Sequence, residues 1–99
     1  MKMTFIVHND YFTPRVMKLL KDAGIDYYTR WDKATGKGKG TEAHSGTGST
    51  ASTNAVLMIA FREDAPLEGL AKRITEANQE ITRTADHIRL FQLPLERIV

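Results

Sequence analysis

Ninety-nine residues, 41% apolar and 26% charged, suffice for one domain around one core, and a single domain over residues 1–99 is the expectation. The formal net charge of +2 does not demand a nucleic-acid partner, and the absence of cysteine excludes disulfide staples, thiol catalysis and thiolate metal sites. The longest apolar run, residues 55–61, is far too short for a membrane span, and no stretch reads as a signal peptide, so a cytoplasmic location is expected.

In chain order, Met3 to His8 is β-branched and aromatic and reads as a strand. Asp10 to Thr13 offers capping residues, and Pro14 suits a first helical turn. Val16, Leu19, Leu20 and Ala23 then recur at helical spacing, and Gly24 closes that helix as the residue after its cap. Ile25 to Lys33 reads as a second strand, with Tyr27, Thr29 and Trp31 alternating with Tyr28, Arg30 and Asp32. Ala55 to Phe61 is apolar throughout, as a central strand covered on both faces would be. Pro66 opens a second helix with the stripe Leu67, Leu70, Ala71, Ile74, Ala77, Ile81, and Ile88 to Leu93 is the last strand, which Pro94 ends or holds at an edge.

Between the second and third strands lies the sequence's main anomaly. Residues 35–54 hold five of the seven glycines and no large apolar side chain. A connection of this length is uncommon in a small domain unless it is functional or disordered. Residues 45–53 are rich in Ser, Thr and Gly and carry no charge, so they cannot offset their own ordering entropy, and a flexible loop is expected.

The order β-α-β-β-α-β, with right-handed crossovers, gives an α+β ferredoxin-like plait. In it, a four-stranded antiparallel sheet has the first and third strands in the middle. Both helices then cover one face. The other face still presents large side chains from the set Phe5, Val7, Tyr27, Trp31, Val56 and Met58, with no third layer in the chain to cover them. Such a face calls for a partner, and a homo-oligomer follows.

The chemistry-bearing residues cluster at the base of the loop. Gly36, Gly38 and Gly40 let backbone N–H groups approach an anion, and Lys37 and Lys39 add charge, a combination suited to phosphate, bicarbonate or a carboxylate. No Walker A spacing is present. His44 could meet His8 or His87 of a neighbouring copy as a metal ligand, although the three histidines have no ligand spacing in the chain. Trp31 reads more simply as packing than as a stacking platform. No nucleophile–base pair or carboxylate dyad stands out. The segment after the first strand, residues 9–15, lacks the glycine of an acylphosphatase-type anion loop, so a non-catalytic protein is expected. Nor does the third strand have the aromatic spacing of an RNA-binding plait.

Taken together, these landmarks resemble the PII-like signalling proteins. They are the strand from residue 1, then Val16, Leu19, Leu20 and Gly24-Ile25, then Thr29, then Gly36-Lys-Gly-Lys-Gly40 opening a long loop, and Leu93-Pro-Leu-Glu96 near the end. Thr29-Arg-Trp31 with the short closing segment is similar to the variants whose genes often lie near heavy-metal efflux pumps. The resemblance implies a homotrimer with sheets facing inward and residues 35–54 projecting as the T-loop. Such a protein senses a small effector, an adenine nucleotide or a bicarbonate-like anion, in clefts between subunits. It signals through the T-loop to a membrane transporter or another target protein. The implied ligand-binding positions are Thr29, Gly36, Lys37, Gly38, Lys39 and Arg89. Residues 82–87 contain no glycine where typical members have a second glycine-rich loop, so the remaining charge for a phosphate falls to Arg83, His87, Arg89 or Arg97. The alternative implied by the same resemblance is a metal-responsive module tied to efflux or transport, with His44 and His87 as ligands.

Overall fold

The computed structural model describes residues 1–38, 43–44 and 52–99. Strand β1 (Lys2–Asn9) alternates buried and half-buried residues, with Thr4, Ile6 and His8 turned to the inside. A 3-10 turn (Asp10–Phe12) leads into helix α1 (Thr13–Asp22), in which Pro14 lies in the first turn, where a missing N–H costs nothing. The local caps differ from the expectation. Asn9, not Asp10, caps the 3-10 turn by accepting from Tyr11 N–H at 3.0 Å, and α1 has no side-chain cap.

Gly24 closes α1 as expected. It adopts φ 76°, its N–H donates to Lys21 O at 3.0 Å, and Ile25 N–H donates back to Leu20 O at 2.9 Å. These are the two reverse bonds of a Schellman cap, and the accompanying apolar contact is available because Leu20 and Ile25 are both buried. The same bonds explain why β2 (Thr29–Ala34) begins four residues later than the alternation suggested: Ile25 is still tied to the end of the helix.

Strand β5 (Asn54–Phe61) sends Ala55, Leu57, Ile59 and Phe61 into the core. Helix α2 (Asp64–Gln79) buries Leu67, Leu70, Ile74 and Ala77 at helical spacing, and Ile81 continues the stripe beyond its end. Strand β6 (Arg89–Pro94) completes the sheet.

The four long strands are ordered β2-β5-β1-β6 and every adjacent pair is antiparallel, which places the first and third of them in the middle as the plait requires. β6 is an edge, where Pro94 is tolerated. Between β2 and β5 the structure adds a feature that the glycine-rich composition does not announce. Gly36–Lys37 (β3) and Ala43–His44 (β4) pair antiparallel, with Gly36 opposite His44 and Lys37 opposite Ala43. Ladder bonds come from the backbone, so hydrophobic periodicity carries no sign of them.

One core unites the helices with one face of the sheet: Ile6, Leu57, Ile59 and Phe61 pack with Val16, Leu20, Leu70 and Ile74. Among the described residues nothing covers the opposite face. By register it carries Met3, Phe5 and Val7 of β1, Val56 and Met58 of β5, Trp31 of β2, and Phe91 and Leu93 of β6. Trp31 is 50% exposed, Phe91 55% and Leu93 49%, so β5 is apolar on both faces but covered by the described residues on only one. No helix among the described residues is long and apolar enough to cross a membrane.

Candidate functional site

A cavity of about 500 Å3 lies where β1 ends, β5 and β6 begin, and the chain leaves β2. Three sets of residues line it. The root of the glycine-rich segment contributes Ala34 to Gly38, so the backbone of Gly36 and Gly38 and the Lys37 side chain share one wall. Val7, Val56 and Phe91, from the uncovered face of the sheet, supply an apolar wall. His8, Asn9 and Asn54, with Thr84, His87 and Arg89, supply polar groups, and Ala85 completes the lining. Lys37 and Arg89 bring positive charge, and no carboxylate lies among the described lining residues, so the cavity favours an anion.

The close approach at Gly36 is specific. A Cβ placed there would lie 3.3 Å from Asn54 Nδ2, so a larger residue requires the Asn54 side chain to give by a few tenths of an ångström. Asn9 and Asn54 face each other across the end of the β1–β5 ladder.

The connection from α2 to β6 is held without glycine. Asn78 mimics a backbone strand: its Nδ2 donates to Ile88 O and its Oδ1 accepts from Ile88 N–H, both at 2.8 Å. His87 Nε2–H donates to Ile81 O at 2.8 Å. A 3-10 turn (Thr84–Asp86) sits between these ties, with Asp86 3.8 Å from Arg83 Nε and 3.5 Å from Asn9 Nδ2. The short connection thereby delivers Thr84, His87 and Arg89 to the cavity.

Of the positions singled out in the sequence, Gly36, Lys37, Gly38, His87 and Arg89 come together here. Thr29 does not: it stands on β2 opposite Met58, away from the lining residues. Arg83 pairs with Asp86, and neither Arg83 nor Arg97 lines the cavity. Lys39 and Gly40 lie outside the described residues, as do the hydroxyl-bearing residues 45–51 and the His44 side chain. Among the described residues no three His, Cys, Asp or Glu side chains are grouped to hold a metal ion. Asn9, Asn54, Thr84 and Asn78 were not singled out in the sequence. No local pattern marks them, and only the strand register and the α2–β6 connection bring them into play.

Among the described residues His8 is the buried titratable group beside the cavity. Its ring is 2% exposed, Nδ1–H donates to Asn9 O at 2.8 Å, and Nε2 is buried with no hydrogen-bond partner among the described residues. Burial pushes its pKa below the ordinary 6.5, against a smaller upward pull from the Asn9 carbonyl and from Asp10. The ring is therefore neutral in the folded protein at physiological pH.

No protein-family profile matches this chain, and no curated protein does. Solved structures do. CPII from Thiomonas intermedia K12, bound to ADP and bicarbonate, matches with a TM-score of 0.71 at 18% identity, over 93% of this chain and 82% of that one. A second structure of CPII, described as a nitrogen regulatory PII-like protein and bound to ADP, AMP and bicarbonate, matches with a TM-score of 0.68 at 16% identity, over 97% and 88% of the two chains. A chain from Thermus thermophilus, assigned as a PII-like signalling protein, matches with a TM-score of 0.61 at 18% identity, over 93% and 82%. The fold is that of the PII-like proteins, an α+β plait with a four-stranded antiparallel sheet and two helices. The resemblance drawn from Gly24-Ile25, Thr29 and the Gly36–Gly40 segment holds at that level.

Proposed function

We propose that this chain is a non-catalytic, PII-like regulatory protein that binds a small anionic effector at the loop-base cavity and signals its occupancy to a target protein through residues 35–54. The observation that carries the reading is the cavity itself: a glycine-lined wall with Lys37 meets Arg89 and His87 over an apolar wall of Val7, Val56 and Phe91. Backbone N–H groups and two cations suit a phosphate or bicarbonate, and the apolar wall suits a flat ring. An adenine nucleotide with bicarbonate fits both halves, and similarly folded CPII is bound to ADP and bicarbonate. Arg89 and His87 take the place of a second glycine-rich loop as the source of polar contacts.

The uncovered sheet face supports assembly as a homotrimer. The cavity opens beside that face, since Val7, Val56, Arg89 and Phe91 belong to both, so a neighbouring subunit would wall the ligand in. A cytoplasmic location accords with this role.

Calorimetric titration with ADP, with and without bicarbonate, tests the reading. The expected result is saturable binding that weakens about tenfold in Lys37→Ala and again in Arg89→Ala, as for loss of one charge-assisted contact each. Absence of binding by ADP, AMP and ATP, with bicarbonate present, would overturn the nucleotide assignment. Affinity unchanged in both variants would move the site elsewhere.

A further inference from the structure

We propose that Asp10 is a positioning residue: its single carboxylate fixes both roots of the segment between β2 and β5 and so sets the mouth of the cavity. Asp10 follows β1 directly, where a local reading makes it a helix cap. Its carboxylate caps nothing. Oδ2 accepts instead from Lys33 N–H at 3.2 Å and from the Thr53 hydroxyl, while Asp10 N–H donates to Thr53 O at 2.9 Å.

The topology makes this contact unusual. β1 and β2 are not neighbours, because β5 lies between them. Asp10 therefore reaches across the start of β5 to the end of β2 and ties three strand ends with one side chain. Lys33 is turned to meet it. The β2–β5 register shifts between Trp31 and Ala34, and Lys33 there adopts φ 57°, a left-handed conformation that a lysine enters only when its surroundings hold it. The bulge takes Lys33 N–H out of the ladder, and the Asp10 carboxylate receives it.

Each anchor adjoins a wall of the cavity. Asp10 follows Asn9, Lys33 precedes Ala34, and Thr53 precedes Asn54, and Asn9, Ala34 and Asn54 all line it. A carboxylate acceptor strengthens both bonds. With it in place the bulge at Lys33 is tied to Thr53 as well as through the Ala34–Asn54 pairing, and without it the Gly36 and Asn54 walls lose one of the ties that set their relative position. That these walls hold an anionic effector rests on the function proposed above; the clamp itself does not.

The test compares the full-length protein with Asp10→Ala, Asp10→Asn and Thr53→Val, using amide NMR and hydrogen exchange. In Asp10→Ala, Lys33 N–H should exchange roughly tenfold faster or more, with the Gly36 and Gly38 amide resonances shifted, while the Ile6 and Leu57 amides keep their protection. Asp10→Asn retains a carbonyl acceptor and should restore slow exchange at Lys33 and most of the Gly36 and Gly38 shifts. Thr53→Val removes one arm and should fall between. Should Asp10→Ala lower global stability, the Asn and Val variants carry the comparison. Unchanged Lys33 exchange, or Gly36 and Gly38 resonances that do not move, would overturn the proposal. ADP with bicarbonate is titrated in parallel, with weakened affinity in Asp10→Ala and recovery in Asp10→Asn expected. Failure of the wild type to bind would sink the effector reading alone, and the amide data would still decide the clamp.

Discussion

At the end of β1 the fold holds a histidine in its neutral form. His8 donates Nδ1–H to Asn9 O, and Nε2 points into buried space with no partner among the described residues. The charges that act on it are Asp10 and Asp32, which favour protonation, and Arg30, which opposes it, but burial outweighs them and lowers the pKa. The sign of the consequence follows from proton counting. Below the ordinary pKa of about 6.5 the unfolded chain binds a proton at His8 that the folded chain rejects, so folding stability falls as the pH falls through that value and is unaffected by this group above it. The melting temperature should therefore drop between about pH 7.5 and about pH 5.5, and His8→Leu should flatten that dependence. An equally steep profile in His8→Leu would assign the acid sensitivity to other groups. Such residue-scale features divide by range. Gly24 was legible in the sequence because a helix end and its left-handed glycine are neighbours in the chain. The bonds of Asp10 to Lys33 and Thr53 were not, since local pattern made Asp10 a cap and only the folded topology brings its partners to it.

Among the elements, those that bury an apolar face were legible, and those held by polar backbone contacts were not. The stripes of α1 and α2 and the β-branched and aromatic run of β1 are records of burial, and these elements formed where those patterns lie, whereas the exposed β2 began four residues later than its alternation suggested. The β3–β4 ladder is a backbone pairing of two residues on each side and left no trace in the pattern. The α2–β6 connection is a second case: with no glycine in residues 82–87, the sequence pointed to missing parts, yet Asn78 and His87 order that stretch by bonding Ile88 and Ile81. Ile88 is 1% exposed, so Asn78 rather than water satisfies its N–H and C=O. Asn78→Ala should cost about 2–3 kcal/mol, two hydrogen bonds plus the burden of buried unpaired groups. Urea denaturation measures this. A loss below about 0.5 kcal/mol would mean that the connection is ordered by its apolar contacts instead.

The described residues form two layers, with one layer's outer face apolar. The missing third layer was legible from the element count. The complete cavity was not, because it draws on residues from four separate stretches of chain, and their convergence is a property of the topology. If copies of the chain cover one another's sheets, the face should be separable from the fold. Phe91 offers the means. It is paired across the sheet with Phe5 and is 55% exposed, so the single chain gains little from burying it, whereas an assembly would bury it fully. Phe91→Glu should leave the far-ultraviolet circular dichroism of the protein intact and place an uncompensated charge on the apolar face. Desolvating that charge would cost an interface several kcal/mol, enough to dissociate a trimer at micromolar concentration. Sedimentation velocity should show the wild type as one species of three chains and Phe91→Glu as single folded chains. Because Phe91 also lines the cavity, the dissociated variant should bind ADP more weakly even though Lys37 and Arg89 remain. A wild type that sediments as one chain, or a variant that keeps its assembly, would show that the sheet face is covered by something other than its own copies.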